Sequence, residues 1–557
     1  MKTKAHPKRI LIIGGVAGGA SAAARARRLS EEATITILEK GPYVSFANCG
    51  LPYALGGVIS ERDRLLLQTP ESLKARLNLD VKVHTQALSI DRTKKSVLAR
   101  NELTGEMENY SYDHLILSMG AEAIRPPLPG IGSRGVFTLQ TIQDLDGVQE
   151  WIKDHGCQSA CVIGGGFIGI ETAENLVHRG VKVTLIERGD QVFTPVDPDM
   201  AELIHHELKQ KGITLLTQSE LKAIEPTPEH RLKLNIQGKD ASFQISSDLL
   251  IMAIGVRPRS KIAQEAGLTL GKTGGVQVDS VMRTSDPAIY AVGDLIETLQ
   301  PQFSEPAYIP LAGPANRQGR IAANHIFGQS SAYRGTWGTS ICQVFDLTVA
   351  TTGLSRKALR RMGKPFEWVS IHPQDHAGYY PGATPMTLQL TFEPGSGRIL
   401  GGQIVGKNGV DKRIDVLSVA IQAGMSVFDL EHLELAYAPP YGSAKDPINM
   451  AGFVASNLLR GDTEILHAQD LAHAMTQGVK LLDVRTTEEH EAGHIPGSVH
   501  LPIESLRSSL HQLDPKQPLV VYCQVGFRGY LAYRILKQKG FQVRNLDGGF
   551  KTWKSLN

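Results

Sequence analysis

The chain has 557 residues, too many for one hydrophobic core and enough for three or four domains of roughly 150 residues each. An apolar content of 41%, a charged content of 21% and a net charge of +3 describe an ordinary globular protein, and exclude nucleic acid or a charged membrane surface as the main partner. Five cysteines cannot form a disulfide scaffold, so a reducing, cytoplasmic compartment and chemically employed thiols are expected. At the N-terminus, Lys2, Lys4, Lys8 and Arg9 ahead of Ile10–Ile13 imitate a signal peptide. The apolar run stops at Gly14-Gly15 and passes into an Arg-rich helical stretch, which reads as a first strand instead. No apolar run approaches the ~18 residues of a membrane span. Residues 9–40 read strand, glycine turn, Ala-rich helix, strand. Residues 160–188 repeat that order, with a helix from about Phe167 and a strand over Val181–Ile186. Two βαβ units of this kind predict two bound nucleotides.

In the second unit Gly164-Gly165-Gly166-Phe167-Ile168-Gly169 satisfies G-x-G-x-x-G, with Gly164, Gly166 and Gly169 at the glycine positions. Such glycines permit a tight turn and a close approach of backbone to a diphosphate at a helix N-terminus. Glu187 ends the next strand, where a carboxylate accepts from ribose hydroxyls and repels a 2′-phosphate, so NADH is favoured; Arg188 beside it leaves NADPH open. The first unit, Gly14-Gly15-Val16-Ala17-Gly18-Gly19, has Val16 where the second glycine is expected, but Glu39 is correctly placed. A third segment, Thr284 to Asp294, runs a strand into Gly293-Asp294 and resembles the flavin-binding segment of two-dinucleotide flavoproteins. Ser118-Met119-Gly120 and Ala253-Ile254-Gly255 resemble the crossovers between their two nucleotide domains. The resemblance assigns FAD to the first unit and NADH to the second; a duplicated NAD domain would leave Gly293-Asp294 unexplained.

Ser45-Phe46-Ala47-Asn48-Cys49-Gly50-Leu51-Pro52-Tyr53 is the most informative stretch. Glutathione-reductase-like enzymes carry a C-x4-C pair, but here Val44 stands five before Cys49 and no cysteine follows closely. One thiol cannot store two electrons as an internal disulfide, so it must cycle through a mixed disulfide, persulfide or sulfenate. The polar residues before Cys49 and a helix start around it are expected to favour the thiolate. Cys157, Cys161 and Cys342 read as structural, and no His/Cys spacing suits a metal.

The segments GGVAGG, SFANCGLPY, GGGFIGIE, YAVGD, LAGPANRQGR, DKRID and YAPPYGSAKD are similar to those of coenzyme A-disulfide reductases in the form fused to a rhodanese domain, also described as NADH-dependent CoA-persulfide or polysulfide reductases. The resemblance implies that Cys49 is the redox nucleophile. It implies that Ser21, Arg25, Arg28, Ser45, Asn48 and Lys445 contact CoA. FAD would be held by Gly14, Gly15, Ala17, Gly19, Glu39, Lys40, Asn48, Asp294 and Ala312, and the nicotinamide nucleotide by Gly164, Gly166, Gly169, Glu187 and Gly255. Tyr379 and Tyr437 would reach the cysteine of the other subunit of a homodimer and protonate a leaving thiolate. Tyr380 and Tyr441 fit equally well by sequence. Peroxidase-like relatives carry a histidine where this chain has Ala17, which argues against peroxide as the main substrate but keeps an NADH oxidase or peroxidase as the alternative, beside a sulfur carrier or sensor.

Toward the C-terminus, Leu481–Arg485, Gly493–Ser498 and Cys523-Gln524-Val525-Gly526-Phe527-Arg528-Gly529 follow the order of rhodanese domains. The strand-like Leu519–Tyr522 delivers Cys523 to a loop whose N–H groups can form an anion nest, with Arg528 nearby. Gln524 replaces the arginine common in thiosulfate-using members, which puts thiosulfate in doubt. The expected fold is α/β: two Rossmann-like dinucleotide-binding domains, an α+β dimerisation domain and a C-terminal α/β rhodanese domain. Boundaries are expected at 1–150 (FAD, first part), 151–275 (NAD(H)), 276–334 (FAD, second part), 335–460 (dimerisation) and 461–557 (rhodanese).

Overall fold

The structure is a computed structural model and describes residues 6–556. It falls into two compact units, Met1–Asp190 with Gly212–Thr336, and Gln191–Lys211 with Trp337–Asn557.

The first unit contains two five-stranded parallel sheets of matching design. One runs in the order Ile289–Ala291, His114–Leu117, Arg9–Ile13, Thr34–Leu38, Asp80–Lys82. The other runs Thr214–Leu216, Lys182–Ile186, Ser159–Ile163, Leu249–Met252, Val136–Phe137. Parallel strands covered on both faces must be apolar nearly throughout, which is why Ile10–Ile13 and Leu249–Met252 are buried at every position. In each sheet the central strand ends in a glycine turn and a helix, Ala17–Leu29 in one and Phe167–His178 in the other. Directly after the expected crossover segments Ser118–Gly120 and Ala253–Gly255, the chain pairs as short antiparallel strands, Ala121–Ala123 against Val256–Pro258.

In the second unit an antiparallel sheet runs Ser340–Val344, Leu347–Gly353, Ile399–Gly406, Met386–Phe392, Glu367–Ile371. Helices Val410–Gln422 and Pro447–Leu459 supply much of the apolar core packed with it. Helix Pro198–Gln210 brings Asp197 and Asp199 to Arg356, whose guanidinium also lies over Trp368. Gln403 Oε1 accepts from Asp197 N at 2.6 Å, so this buried ion cluster is closed by amide hydrogen bonds.

A parallel sheet ordered Ile465–Leu466, Val543–Leu546, Leu519–Tyr522, Lys480–Asp483, Ser498–His500 forms the C-terminal part of the same unit. It is locked to strand Glu367–Ile371 by polar contacts. Ser370 N donates to Asp547 Oδ1 at 3.0 Å, His372 Nε2 meets Thr552 Oγ1 at 2.8 Å, and the rings of Trp368 and His467 stack at 3.4 Å. Burial, and then the charge of Lys551, push His372 down to about 3, so its imidazole is neutral at this junction.

Candidate functional site

The two glycine turns are built alike. Gly14 and Gly164 have φ of +95° and +102°, and each N–H donates at 2.8 Å to the last residue of the neighbouring strand, Leu38 and Ile186. Gly19 and Gly169 lie so close to these turns that a Cβ on either would stand 1.9 Å from the carbonyl oxygen of Gly14 or Gly164. Only glycine fits there, and the missing side chain lets the helix start press against the strand end. Neither helix has a side-chain cap, so first-turn N–H groups stay free for an anion. Val16 therefore does not disturb the first turn. Glu39 receives N–H groups from Gly15 and Gly41, both at 2.9 Å. Glu187 receives those of Gly165 at 2.8 Å and Gly189 at 2.7 Å. Both carboxylates are thus fixed at strand ends where a ribose would lie, and no side chain fills the space a Cβ of Gly166 would enter.

Two further elements reach the first turn's end of its sheet. Strand Ile289–Ala291 delivers Asp294 in a single 3₁₀ turn, and burial pushes its carboxyl up. Helix Ala312–Ile326 starts at Ala312 without a side-chain cap. Free helix termini, a ribose-facing carboxylate and a desolvated acid suit the diphosphate, ribose and ribityl parts of FAD, and the second turn suits a pyridine dinucleotide. Lys40 is exposed, Ala17 opens the first helix, and Gly255 lies at φ +108° in the crossover.

Cys49 sits in the 3₁₀ turn Asn48–Gly50 ahead of helix Leu51–Leu55, and is exposed. The preceding loop is held against the first glycine turn. Ser45 N donates to Gly15 O at 2.8 Å, its own carbonyl accepts from Leu67 N at 3.0 Å, and its φ is +52°, a left-handed conformation uncommon for serine. Val44, where a second cysteine would stand in a C-x4-C pair, is fully buried against Gly15. The expectation that the surroundings favour the thiolate is corrected. Desolvation first, then the carboxylates Glu171 and Asp294, push the Cys49 thiol up. Tyr53 Oη donates to Glu171 Oε1 at 3.0 Å, and burial raises the Glu171 carboxyl as well.

Beside this loop opens a cleft of about 530 Å³ lined by Ser21, Arg28, Ser45, Gln68, Arg76 and Arg320 among others. The three arginines are exposed, and none has a carboxylate partner among the described residues. Arg25 lies outside the lining; its Nε and Nη2 donate to Asn324 Oδ1 at 2.7 Å and Gln329 Oε1 at 2.8 Å. Gln68 and Arg76 escape the sequence reading because no motif marks them, while Tyr53, Glu171 and Arg320 each end a quoted motif without being singled out. Apart from Tyr53, they lie on other loops and helices that only the fold brings beside Ser45 or Cys49.

In the second unit Tyr379 and Tyr437 meet, Oη to Oη at 2.7 Å, with Tyr379 77% exposed. Tyr380 instead packs edge-on against His376, and Tyr441 stays exposed. The hydrogen bond between the two phenols raises Tyr379. Lys445 is exposed.

Cys523 is 1% exposed and follows strand Leu519–Tyr522. Its carbonyl accepts from Phe550 N at 2.8 Å and that of Gln524 from Lys551 N at 3.0 Å, which turns the loop over the N-terminus of helix Phe527–Gln538. That helix has no side-chain cap, so its first N–H groups form a nest. Arg528 lies near enough for Cys523 to act on its guanidinium, and it is paired with Glu489. The other cysteines, Cys157, Cys161 and Cys342, are buried; burial pushes Cys157 to about 11 and Cys161 to about 12. Among the described residues no group of three or more His, Cys, Asp or Glu is arranged to hold a metal ion.

Residues 8–319 match the pyridine nucleotide-disulphide oxidoreductase family, more than half of the chain. The chain belongs to this family. Residues 339–446 match the dimerisation domain of these pyridine nucleotide-disulphide oxidoreductases, and 467–556 match the rhodanese-like domain. A coenzyme A disulfide reductase of Staphylococcus haemolyticus (strain JCSC1435) is 36% identical over 452 residues, 81% of this chain and all of that protein. The crystal structure of reduced CoADR-RHD from Bacillus anthracis superposes with a TM-score of 0.97 at 45% identity, covering 100% of this chain and 99% of that one. An NAD-dependent persulfide reductase from A. fulgidus gives 0.91 at 37% identity, covering 98% and 100%. As an oxidoreductase of this family, the chain combines FAD- and NAD(P)H-type nucleotide sites with a dimerisation domain and a rhodanese domain.

Proposed function

We propose that this chain is a homodimeric FAD-dependent reductase that uses NADH to reduce CoA persulfide, polysulfide and CoA disulfide through Cys49, while Cys523 handles sulfane sulfur. One observation carries the reading: a single exposed thiol among the described residues, with buried Val44 in place of a second cysteine, beside a cleft with three arginines that have no carboxylate partner among those residues. Free guanidiniums suit the phosphates of CoA, and a lone thiol suits a substrate that brings its own second sulfur. The names of two relatives, a coenzyme A disulfide reductase and an NAD-dependent persulfide reductase, support CoA disulfide and a persulfide as substrates.

FAD, held by the first glycine turn with Glu39, Asp294 and the helix start at Ala312, would supply a two-electron relay from nicotinamide to sulfur. The Cys49 thiolate attacks CoA–S–S–CoA, forming Cys49–S–S–CoA and releasing CoA thiolate; with CoA–S–SH the group released is hydrosulfide. Two electrons and one proton then return the mixed disulfide to Cys49 thiolate and CoA thiol. The net reaction consumes one NADH and one proton per disulfide or persulfide. Ser45 and Asn48 position the sulfur end of the substrate, and Ser21, Arg28, Arg76 and Arg320 its phosphates. Arg25 supports the field at that end, and Lys445 adds a further cation. Tyr379 and Tyr437 of the partner subunit protonate the departing thiolate, their mutual hydrogen bond leaving one hydroxyl free to donate. No helix among the described residues is long and apolar enough to cross a membrane, and the free thiols suit a reducing compartment.

Anaerobic stopped-flow mixing of the NADH-reduced holoenzyme with CoA persulfide, CoA disulfide, polysulfide and peroxide tests the reading. CoA persulfide or CoA disulfide is expected to reoxidise the enzyme fastest. Peroxide in first place would install the peroxidase reading, and an absence of steady-state turnover with any disulfide the sensor reading.

A further inference from the structure

Two arginines stand at the Cys523 loop, and each is already matched by a carboxylate. Arg528 Nη1 and Nη2 donate to Glu489 Oε2 and Oε1, both at 2.7 Å. Arg485, almost wholly buried, donates Nη2 to Asp483 Oδ2 at 2.7 Å and to Gly493 O at 2.8 Å, and Nη1 to Gln524 Oε1 at 3.2 Å. Lys551 anchors the loop through its backbone N–H, while its ammonium bears on His372. Helix Phe527–Gln538, which follows the loop, has no side-chain cap.

We infer that Glu489 is a specificity residue: by neutralising Arg528 it suits the Cys523 site to sulfur carried on an organic persulfide and sets it against dianionic inorganic donors such as thiosulfate. The inference rests on the reading of Cys523 as the sulfur-transfer thiol. The chemistry separates the donors by charge. From thiosulfate, the Cys523 thiolate bonds to the outer sulfur and the S–S bond breaks toward sulfite, which leaves with the electron pair; three negative charges converge in that step. From a hydropersulfide R–S–SH, the thiolate bonds to the terminal sulfur, giving Cys523–S–SH and R–S⁻; one negative charge is shared among three sulfurs. A free guanidinium would favour the first far more than the second, and a carboxylate clamped on it cancels that preference.

The test measures single-turnover loading of one sulfur atom onto the Cys523 peptide by mass spectrometry, in the full-length holoenzyme without NADH. Glutathione persulfide and thiosulfate are compared at equal concentration. The unmodified protein is expected to load at least about tenfold faster from the persulfide, the discrimination set by one unpaired charge. Glu489→Gln keeps the acceptor that receives Thr486 N at 3.0 Å and so keeps the helix cap. It should shift the thiosulfate-to-persulfide ratio about tenfold toward thiosulfate, through a lower half-saturating thiosulfate concentration that rises again with salt. Adding Arg528→Met to that variant should reverse the gain. If Glu489→Gln loses its fold, Gln524→Arg places an unpaired guanidinium on the same loop and must produce the same shift. Equal loading from both donors in the unmodified protein, or an unchanged ratio in a folded variant, overturns the inference. No sulfur on Cys523 from either donor overturns instead the sulfur-transfer reading beneath it.

Discussion

Cys49 and Cys523 are each delivered to a turn that precedes a helix, yet their surroundings are opposite. Cys49 is exposed, and its ionisation is opposed first by desolvation and then by the acids Glu171 and Asp294. Cys523 is buried at the end of an apolar strand, under a nest of N–H groups and beside Arg528. The difference teaches that a thiol's place in a motif does not fix the charged groups around it. The Cys523 loop closes its ion pairs within one domain, Arg528 on Glu489 and Arg485 on Asp483. A desolvated thiol facing two acids needs a compensating partner, such as a cofactor or a substrate, before its anion is favoured.

The largest effect that can break this comparison is removal of each sulfur in turn. Cys49→Ser is expected to lower CoA-disulfide and CoA-persulfide reduction by about a thousandfold or more while flavin absorbance stays, and Cys523→Ser to spare CoA-disulfide reduction. Steady-state NADH consumption with each substrate checks both. Next comes the buried charge beneath the Cys523 loop. Asp483→Ala leaves Arg485 without its carboxylate, which costs about 3–5 kcal/mol in a buried pair. A urea titration should show the rhodanese domain unfolding first.

A smaller effect sharpens the Cys49 side. Arg320→Ala or Arg76→Ala should raise KM for CoA disulfide by about tenfold with kcat little changed, because an exposed guanidinium binds ground state and transition state alike. The smallest is a pH shift. Glu171 raises the Cys49 thiol, so Glu171→Gln removes a negative charge, stabilises the thiolate and lowers the thiol's pKa. The pH profile of iodoacetamide alkylation should move to lower pH, and a profile that stays or moves upward would remove Glu171 from the neighbourhood of the thiol.

Much of this was legible in order along the chain. The second fingerprint, the helix from Phe167, the strand ahead of Cys523 and the acid at each strand end were read from local pattern, because glycine, apolar runs and turn residues constrain only their own few neighbours. Val16 looked like a defect in the first turn and is none, since the close approach depends on Gly14 and Gly19. The choice between Tyr379 and Tyr380 was not legible, as both are phenols in one loop. The structure separates them by the hydrogen bond to Tyr437 and the packing against His376.

The amino-acid order by itself determined the two nucleotide turns, the absence of a second cysteine in a C-x4-C pair with Cys49, and the cysteine loop of the last domain. All of these are features in which a few adjacent residues set backbone shape and chemistry together. Only the tertiary structure decided which charges surround each sulfur. Arg28, Arg76 and Arg320 are scattered through the sequence, and Glu171 lies more than a hundred residues from Cys49, as Glu489 lies well before Arg528. Electrostatic energy depends on distance in space, and the chain records only distance along itself.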